Sequence, residues 1–262
     1  MQKINKILVV GATGSIGQYV VTEALNKGYQ VRALVRNPNK VQFDKRVDVF
    51  IGDLTQPDTL KGISDGIDGI DGIIFTQGNY ADPENVDYQG VKTIVNSLNG
   101  RYTKLVLMST IYSILVVNER RFDNGCAWKR RTERLIRASH QPYTIIRPSW
   151  FDCNEADEQQ LFITQGKTNY SLTASDGGIS RVQLAETLLQ ALTVPEVEHK
   201  TIELFAEKGE RTMDFNRLFA TAIADEPTEN FDGIKDPNNR PFNLEPVNVV
   251  QDLQSLAKIN RT

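Results

Sequence analysis

A chain of 262 residues that is 40% hydrophobic and 24% charged carries enough apolar material for a packed globular core. Its net charge of −3, with acids and bases mixed along the chain, argues against a nucleic-acid or membrane surface. No apolar run reaches the roughly 18 residues of a membrane span. Cys126 and Cys153 form neither a disulfide framework nor a metal motif. Free thiols, no metal and a cytoplasmic location are the expectation.

Short apolar runs alternate with segments of helical period, the pattern of a parallel sheet covered by helices. Strands are expected at Lys6–Val10, Gln30–Val35, Val47–Ile51, Gly72–Thr76, Lys104–Met108, Tyr143–Ile146 and Thr201–Phe205. Their Ile, Leu and Val content suits burial on both faces. Helices are expected near Ile16–Lys27, Val86–Asn99, Ala127–Ser139 and Val182–Leu192. Right-handed crossovers then give one doubly wound α/β sheet, strand order 3-2-1-4-5-6. Beyond Phe205 the pattern weakens: a helix at Met213–Ala224, a loop over Asp225–Pro241, and a last short helix at Pro246–Ala257. Too few apolar residues remain there for a second core. The chain therefore reads as one domain over residues 1–262, with a core to about residue 210 and a small C-terminal appendage.

The first strand runs directly into Gly11-Ala12-Thr13-Gly14-Ser15-Ile16-Gly17 and then an amphipathic helix. Glycine is needed where the chain turns sharply and where a side chain would keep a diphosphate from the backbone N–H groups. Gly17 lets helix and strand approach, and the helix N-terminus adds positive potential. In that context the spacing indicates a Rossmann-type dinucleotide site. An NAD-preferring site usually has an acid at the end of the second strand. Here the run is Val31-Arg32-Ala33-Leu34-Val35-Arg36-Asn37, with no acid. Arg36, with Arg32 as a second candidate, would meet a 2′-phosphate, so NADP is expected ahead of NAD.

With these residues in view the chain resembles the atypical short-chain dehydrogenase/reductase group, and within it the NmrA-like and NAD(P)H-binding reductases related to flavin and biliverdin reductases. The matching segments include Gly11–Gly17, Val31–Pro38, Gly52-Asp53-Leu54, Phe75–Gly78, Lys104–Thr110 and Tyr143–Pro148, within about residues 5–210. The resemblance implies that Asp53 and Leu54 border the adenine. It also implies that Thr76, Gln77 and Gly78 line the ribose and diphosphate, and that Arg147-Pro148 opens the substrate loop.

Short-chain enzymes of the main type use Tyr-x-x-x-Lys on the helix after the fifth strand, where lysine lowers the tyrosine pKa for proton transfer. Lys129 holds the lysine position here, but the tyrosine position is Gly125. Tyr88-Gln89-Gly90-Val91-Lys92 matches formally but lies on the preceding helix, and is read as part of an ordinary surface helix. Ser109 and Thr110 follow the fifth strand, and Tyr112 could substitute as an acid. Lys129, Ser109 and Tyr112 are thus the catalytic candidates. Ser109 and Lys129 also join the cofactor-binding set of Gly11, Thr13, Gly14, Ser15, Ile16, Gly17, Arg36, Asp53, Leu54, Thr76, Gln77 and Gly78. Thr110, with Trp150 and Phe151 as an aromatic wall, would face a small, planar substrate. The basic run Lys129-Arg130-Arg131, with Arg134 and Arg137, is read as a solvated helix face rather than a nucleic-acid stripe. His140 and His199 lack partner motifs and receive no role.

Ketone reduction benefits from a positioned proton donor. A flavin or quinone delocalises charge and takes its proton from solvent. The leading expectation is therefore NADPH-dependent hydride transfer to a conjugated acceptor such as a flavin or quinone. The alternative is a non-catalytic NmrA-like redox sensor acting through a protein partner. An epimerase or dehydratase fits less well, because the tyrosine is missing.

Overall fold

A computed structural model describes residues 4–40, 42–65 and 69–259. Its centre is a parallel sheet of β1 (Lys6–Val10), β2 (Gln30–Val35), β3 (Asp48–Ile51), β4 (Gly72–Phe75), β5 (Lys104–Met108) and β6 (Tyr143–Pro148). These stand in the expected order 3-2-1-4-5-6. Two further strands extend the β6 edge. β10 (Lys200–Glu207) is parallel to β6, and β8 (Gln160–Thr164) is antiparallel to β10. β8 was not foreseen, because an edge strand is only half buried and lacks the all-apolar run of its inner neighbours.

Alternation along each central strand sends side chains to two separate cores. Ile7, Val9, Ile74, Val106 and Ile146 join one cluster with residues of α1 (Gly17–Asn26) and α4 (Arg181–Thr193). Leu8, Val10, Phe75, Leu107 and Ile145 join the other, with residues of α2 (Gly90–Ser97) and α3 (Arg120–Ala138). Helices thus cover both faces, which is the Rossmann arrangement. Short pieces β7 (Trp150–Phe151) and β9 (Gly178–Ile179) pair with each other above β6.

Helix α3 begins seven residues earlier than expected, at Arg120 rather than Ala127. Asn124 and Gly125 are poor helix formers and mask its first turns in the sequence. The Glu119 carboxylate secures them by accepting from the backbone N–H groups of Arg121 and Phe122. The Tyr88–Lys92 stretch also differs from the surface helix expected. A π-helical turn over Glu84–Gln89 leads into α2 and buries Tyr88 completely, its ring 5.4 Å from that of Trp128.

In the C-terminal part, α5 (Phe215–Ala220) is shorter than expected, and α6 (Val247–Ile259) packs Val249, Leu253 and Leu256 into the second core. Between them runs the acidic loop that corrects the reading of α3. Its basic residues are not solvated: Arg130 and Arg134 are fully buried and Arg137 nearly so. Arg130 meets Asp232 at 2.9 Å, Arg134 meets Glu245 at 2.6 Å, and Arg137 meets Asp225 at 3.2 Å. Arg147, expected at the mouth of the substrate loop, is instead buried under α3. It pairs there with Glu133 at 2.5 Å and Asp236 at 2.8 Å. With Arg131 on Glu245, five arginines face five carboxylates, and that balance is what lets the charges leave water. Four of those carboxylates lie about a hundred residues away from α3, beyond the reach of helical periodicity.

Candidate functional site

At the carboxyl ends of β1, β4, β5 and β6 lies a cavity of about 680 Å³, the usual ligand position in an open α/β sheet. Two glycines shape its floor. Gly11 has φ of +81°, and a Cβ there would fall 2.7 Å from the Gln77 backbone nitrogen. A Cβ on Gly17 would fall 2.2 Å from the Gly11 carbonyl oxygen, so helix α1 can start against the loop only without a side chain. Gly17 is buried behind the loop, whereas Gly11, Thr13, Gly14, Ser15 and Ile16 line the cavity. The Gly14 N–H donates to the Gly11 carbonyl at 2.8 Å. Those of Ser15 and Ile16 have no acceptor among the described residues.

Around this loop the structure gathers the other expected residues. Arg36, Asp53, Leu54, Thr76, Gln77 and Gly78 line the cavity. Arg36 is exposed and makes no ion pair among the described residues. Arg32 does not join it. Its guanidinium is held by Asp48 at 2.7 Å and by the carbonyls of Ile63 and Asp65, away from the cavity. Thr76 donates its hydroxyl to the Val10 carbonyl at 2.9 Å and so ties β4 to β1.

Ser109, Thr110, Tyr112, Lys129, Trp150 and Phe151 line the cavity as well. The Ser109 hydroxyl donates to Glu133 at 2.6 Å, and Ser113 shares the same carboxylate. The Tyr112 hydroxyl donates to Asp176 at 2.8 Å and accepts from the Trp150 indole. Burial, followed by that carboxylate, pushes its pKa up. The Lys129 ammonium stands 3.8 Å from Asp87, beside Gly78. Burial raises the Asp87 carboxyl, and the charge of Lys129 opposes the rise.

The residues present fit a dinucleotide. Besides the glycine cradle, Gln77 Oε1 and Ser149 Oγ are buried, lack a hydrogen-bond partner among the described residues, and belong to cavity-lining side chains. Buried polar atoms of this kind are costly unless a ligand or water satisfies them.

Sequence reasoning missed Tyr80 and Phe122, which also line the cavity. Tyr80 follows the Thr76–Gly78 segment by two residues, which was the available clue. Phe122 lies in the first turns of α3, ahead of the helix expected from Ala127. Among the described residues no helix is long and apolar enough to cross a membrane.

The NAD(P)H-binding family matches residues 11–195, from the glycine loop to the end of α4. Sanguinarine reductase of Eschscholzia californica is 28% identical over 258 residues, covering 80% of this chain and 92% of its own length. The photosystem II assembly factor Ycf39 of Trieres chinensis is 26% identical over 215 residues, covering 78% of this chain and 64% of its own. Among solved structures, the anaerobillin reductase ChuY of Escherichia coli O157:H7 shares the fold. Its TM-score is 0.63 at 19% identity, over 79% of this chain and 100% of that one. The chain belongs to the NAD(P)H-binding family.

Proposed function

We propose that the chain is an NADPH-dependent reductase that delivers hydride to a small, flat, conjugated acceptor such as a flavin or quinone. The bound nicotinamide supplies the hydride. The free N–H groups of Ser15 and Ile16, at the start of α1, hold the diphosphate. Arg36 receives the 2′-phosphate, since a guanidinium without a protein carboxylate is available for a bidentate contact. Leu54 and Asp53 border the adenine, Thr76, Gln77 and Gly78 the ribose and diphosphate, and Lys129 the second ribose. Thr110, Trp150 and Phe151 bound the acceptor space.

One observation carries the choice of acceptor. The phenol that short-chain enzymes place one turn before their lysine is replaced by Gly125, while the hydroxyls of Ser109 and Tyr112 are committed to Glu133 and Asp176. A developing alkoxide would find neither hydroxyl free to donate, whereas a conjugated acceptor spreads its charge and takes a proton from water. Ser109 and Tyr112 on this reading position the site, and Lys129 orients the cofactor. The name of the relative sanguinarine reductase supports a reductase of small molecules.

The name of the relative Ycf39 favours a second reading, a dinucleotide sensor that acts through a protein partner. NADPH oxidation, followed at the nicotinamide absorbance band with flavin mononucleotide or menadione as acceptor, separates the two. The reductase reading expects turnover. Saturable NADPH binding without turnover on either acceptor supports the sensor instead.

A further inference from the structure

Gly125 lies inside a 19-residue helix, where glycine is unfavourable, and its partner in space supplies the reason. A Cβ at Gly125 would fall 2.2 Å from Cδ1 and 2.4 Å from Cε1 of Tyr80. The Tyr80 ring therefore lies directly on the α3 backbone, one helical turn before Lys129 on the same face. Phe122 stacks with it, centroids 5.6 Å apart and planes 21° from parallel. From Phe122 the aromatic contacts continue edge-on to Tyr112 at 5.6 Å and from there to Trp150 at 6.3 Å. All four rings line the cavity. Tyr80 and Trp150 are its exposed aromatic members, at 40% and 38%.

We propose that Tyr80, seated over Gly125, is the specificity-determining residue of the site, and that its ring is the platform on which the flat ring system of the acceptor stacks. The space a tyrosine at position 125 would occupy is taken by the ring of Tyr80, from a different loop. Phe122 fixes the angle of that ring, and Gly125 permits it to lie low enough to leave the cavity open. The proposal rests on the reductase reading and deepens it.

The test compares Tyr80→Ala, Tyr80→Phe and the unaltered full-length chain in NADPH oxidation with flavin mononucleotide and with menadione. NADPH binding is titrated separately by nicotinamide fluorescence. Tyr80→Ala is expected to raise the acceptor KM about five- to tenfold, the scale of one aromatic stacking contact, with NADPH affinity unchanged. Tyr80→Phe is expected to keep both KM and kcat. Gly125→Ala should reproduce the KM rise, because alanine suits the helix interior and its methyl group displaces the ring. An unchanged acceptor KM in Tyr80→Ala overturns the proposal alone. A fall in kcat without a KM change in Tyr80→Phe overturns it too, because the hydroxyl would then be the working group. Absence of turnover in the unaltered chain overturns the reductase reading and the proposal with it.

Discussion

Ser109, at the end of β5 in the cavity wall, donates its hydroxyl to Glu133 of α3 at 2.6 Å, and the same carboxylate holds Arg147 at 2.5 Å. Arg147 in turn reaches Asp236 of the C-terminal loop at 2.8 Å. The site wall, the long helix and the tail are thus linked through one buried chain of charges. In such a chain the loss of one partner leaves the other charged and dry, which costs more than the pair ever contributed.

Glu133→Gln is therefore expected to destabilise the fold by about 3 kcal/mol, the scale for breaking a buried ion pair. The urea midpoint measures it. A loss below about 1 kcal/mol would mean that the network contributes as little as a surface pair.

The same network sets an acid limit. Despite burial, the neighbouring arginines hold the Glu133 and Asp236 carboxyls below their ordinary values. A carboxylate with a depressed folded pKa contributes stability that is present above its unfolded value, near ~4, and lost as pH falls through the folded one. Thermal midpoints should accordingly stay level near neutrality and decline below about pH 4. Glu133→Gln should flatten part of that decline.

Tyr112→Phe should cost about 1 kcal/mol of stability, the scale of a hydrogen bond, through loss of the bridge between Trp150 and Asp176. Its kcat for NADPH oxidation should stay near that of the unaltered chain. A large fall in kcat with normal stability would restore Tyr112 to the catalytic role that its position after β5 first suggested.

The two thiols should differ in reactivity. Cys126 is buried in α3, and burial pushes its pKa up to about 12, whereas Cys153 is exposed. A thiolate is the reactive form. Titration with a disulfide reagent near neutral pH should find one accessible thiol in the folded chain and both after denaturation. Cys153→Ser should remove the fast-reacting one.

Replacing Arg36 by Ala should weaken NADPH about tenfold or more, as loss of a charge-assisted contact does, and leave NADH affinity unchanged. Fluorescence titration of both nucleotides measures this. An equal loss for the two would assign Arg36 to something other than the 2′-phosphate.

What the sequence revealed and what it hid follow from the range of the interactions. The central strands and the glycine loop are local: Ile7–Val10 and Gly11–Gly17 announce a buried strand and a side-chain-free turn within a dozen residues. Of the expected site residues, all but Gly17, Arg32 and Arg147 line the cavity, and all of those except Lys129 of α3 follow the ends of those strands. Arg130, Arg134 and Arg147 were misread for the opposite reason. Their burial depends on Asp232, Asp236 and Glu245, which only the folded tail brings to them. Tyr80 was hidden similarly, since Gly125 appears in the sequence as a missing tyrosine and only in space as the seat of another ring.

The most direct measurement is a titration of the purified chain with NADPH and NADH, following nicotinamide fluorescence. Open amides at the start of α1, with Arg36 beside them, predict saturable binding of both and tighter binding of NADPH by about tenfold. A flat response to either nucleotide up to roughly millimolar concentration, where even weak specific complexes form, would contradict the account at its root.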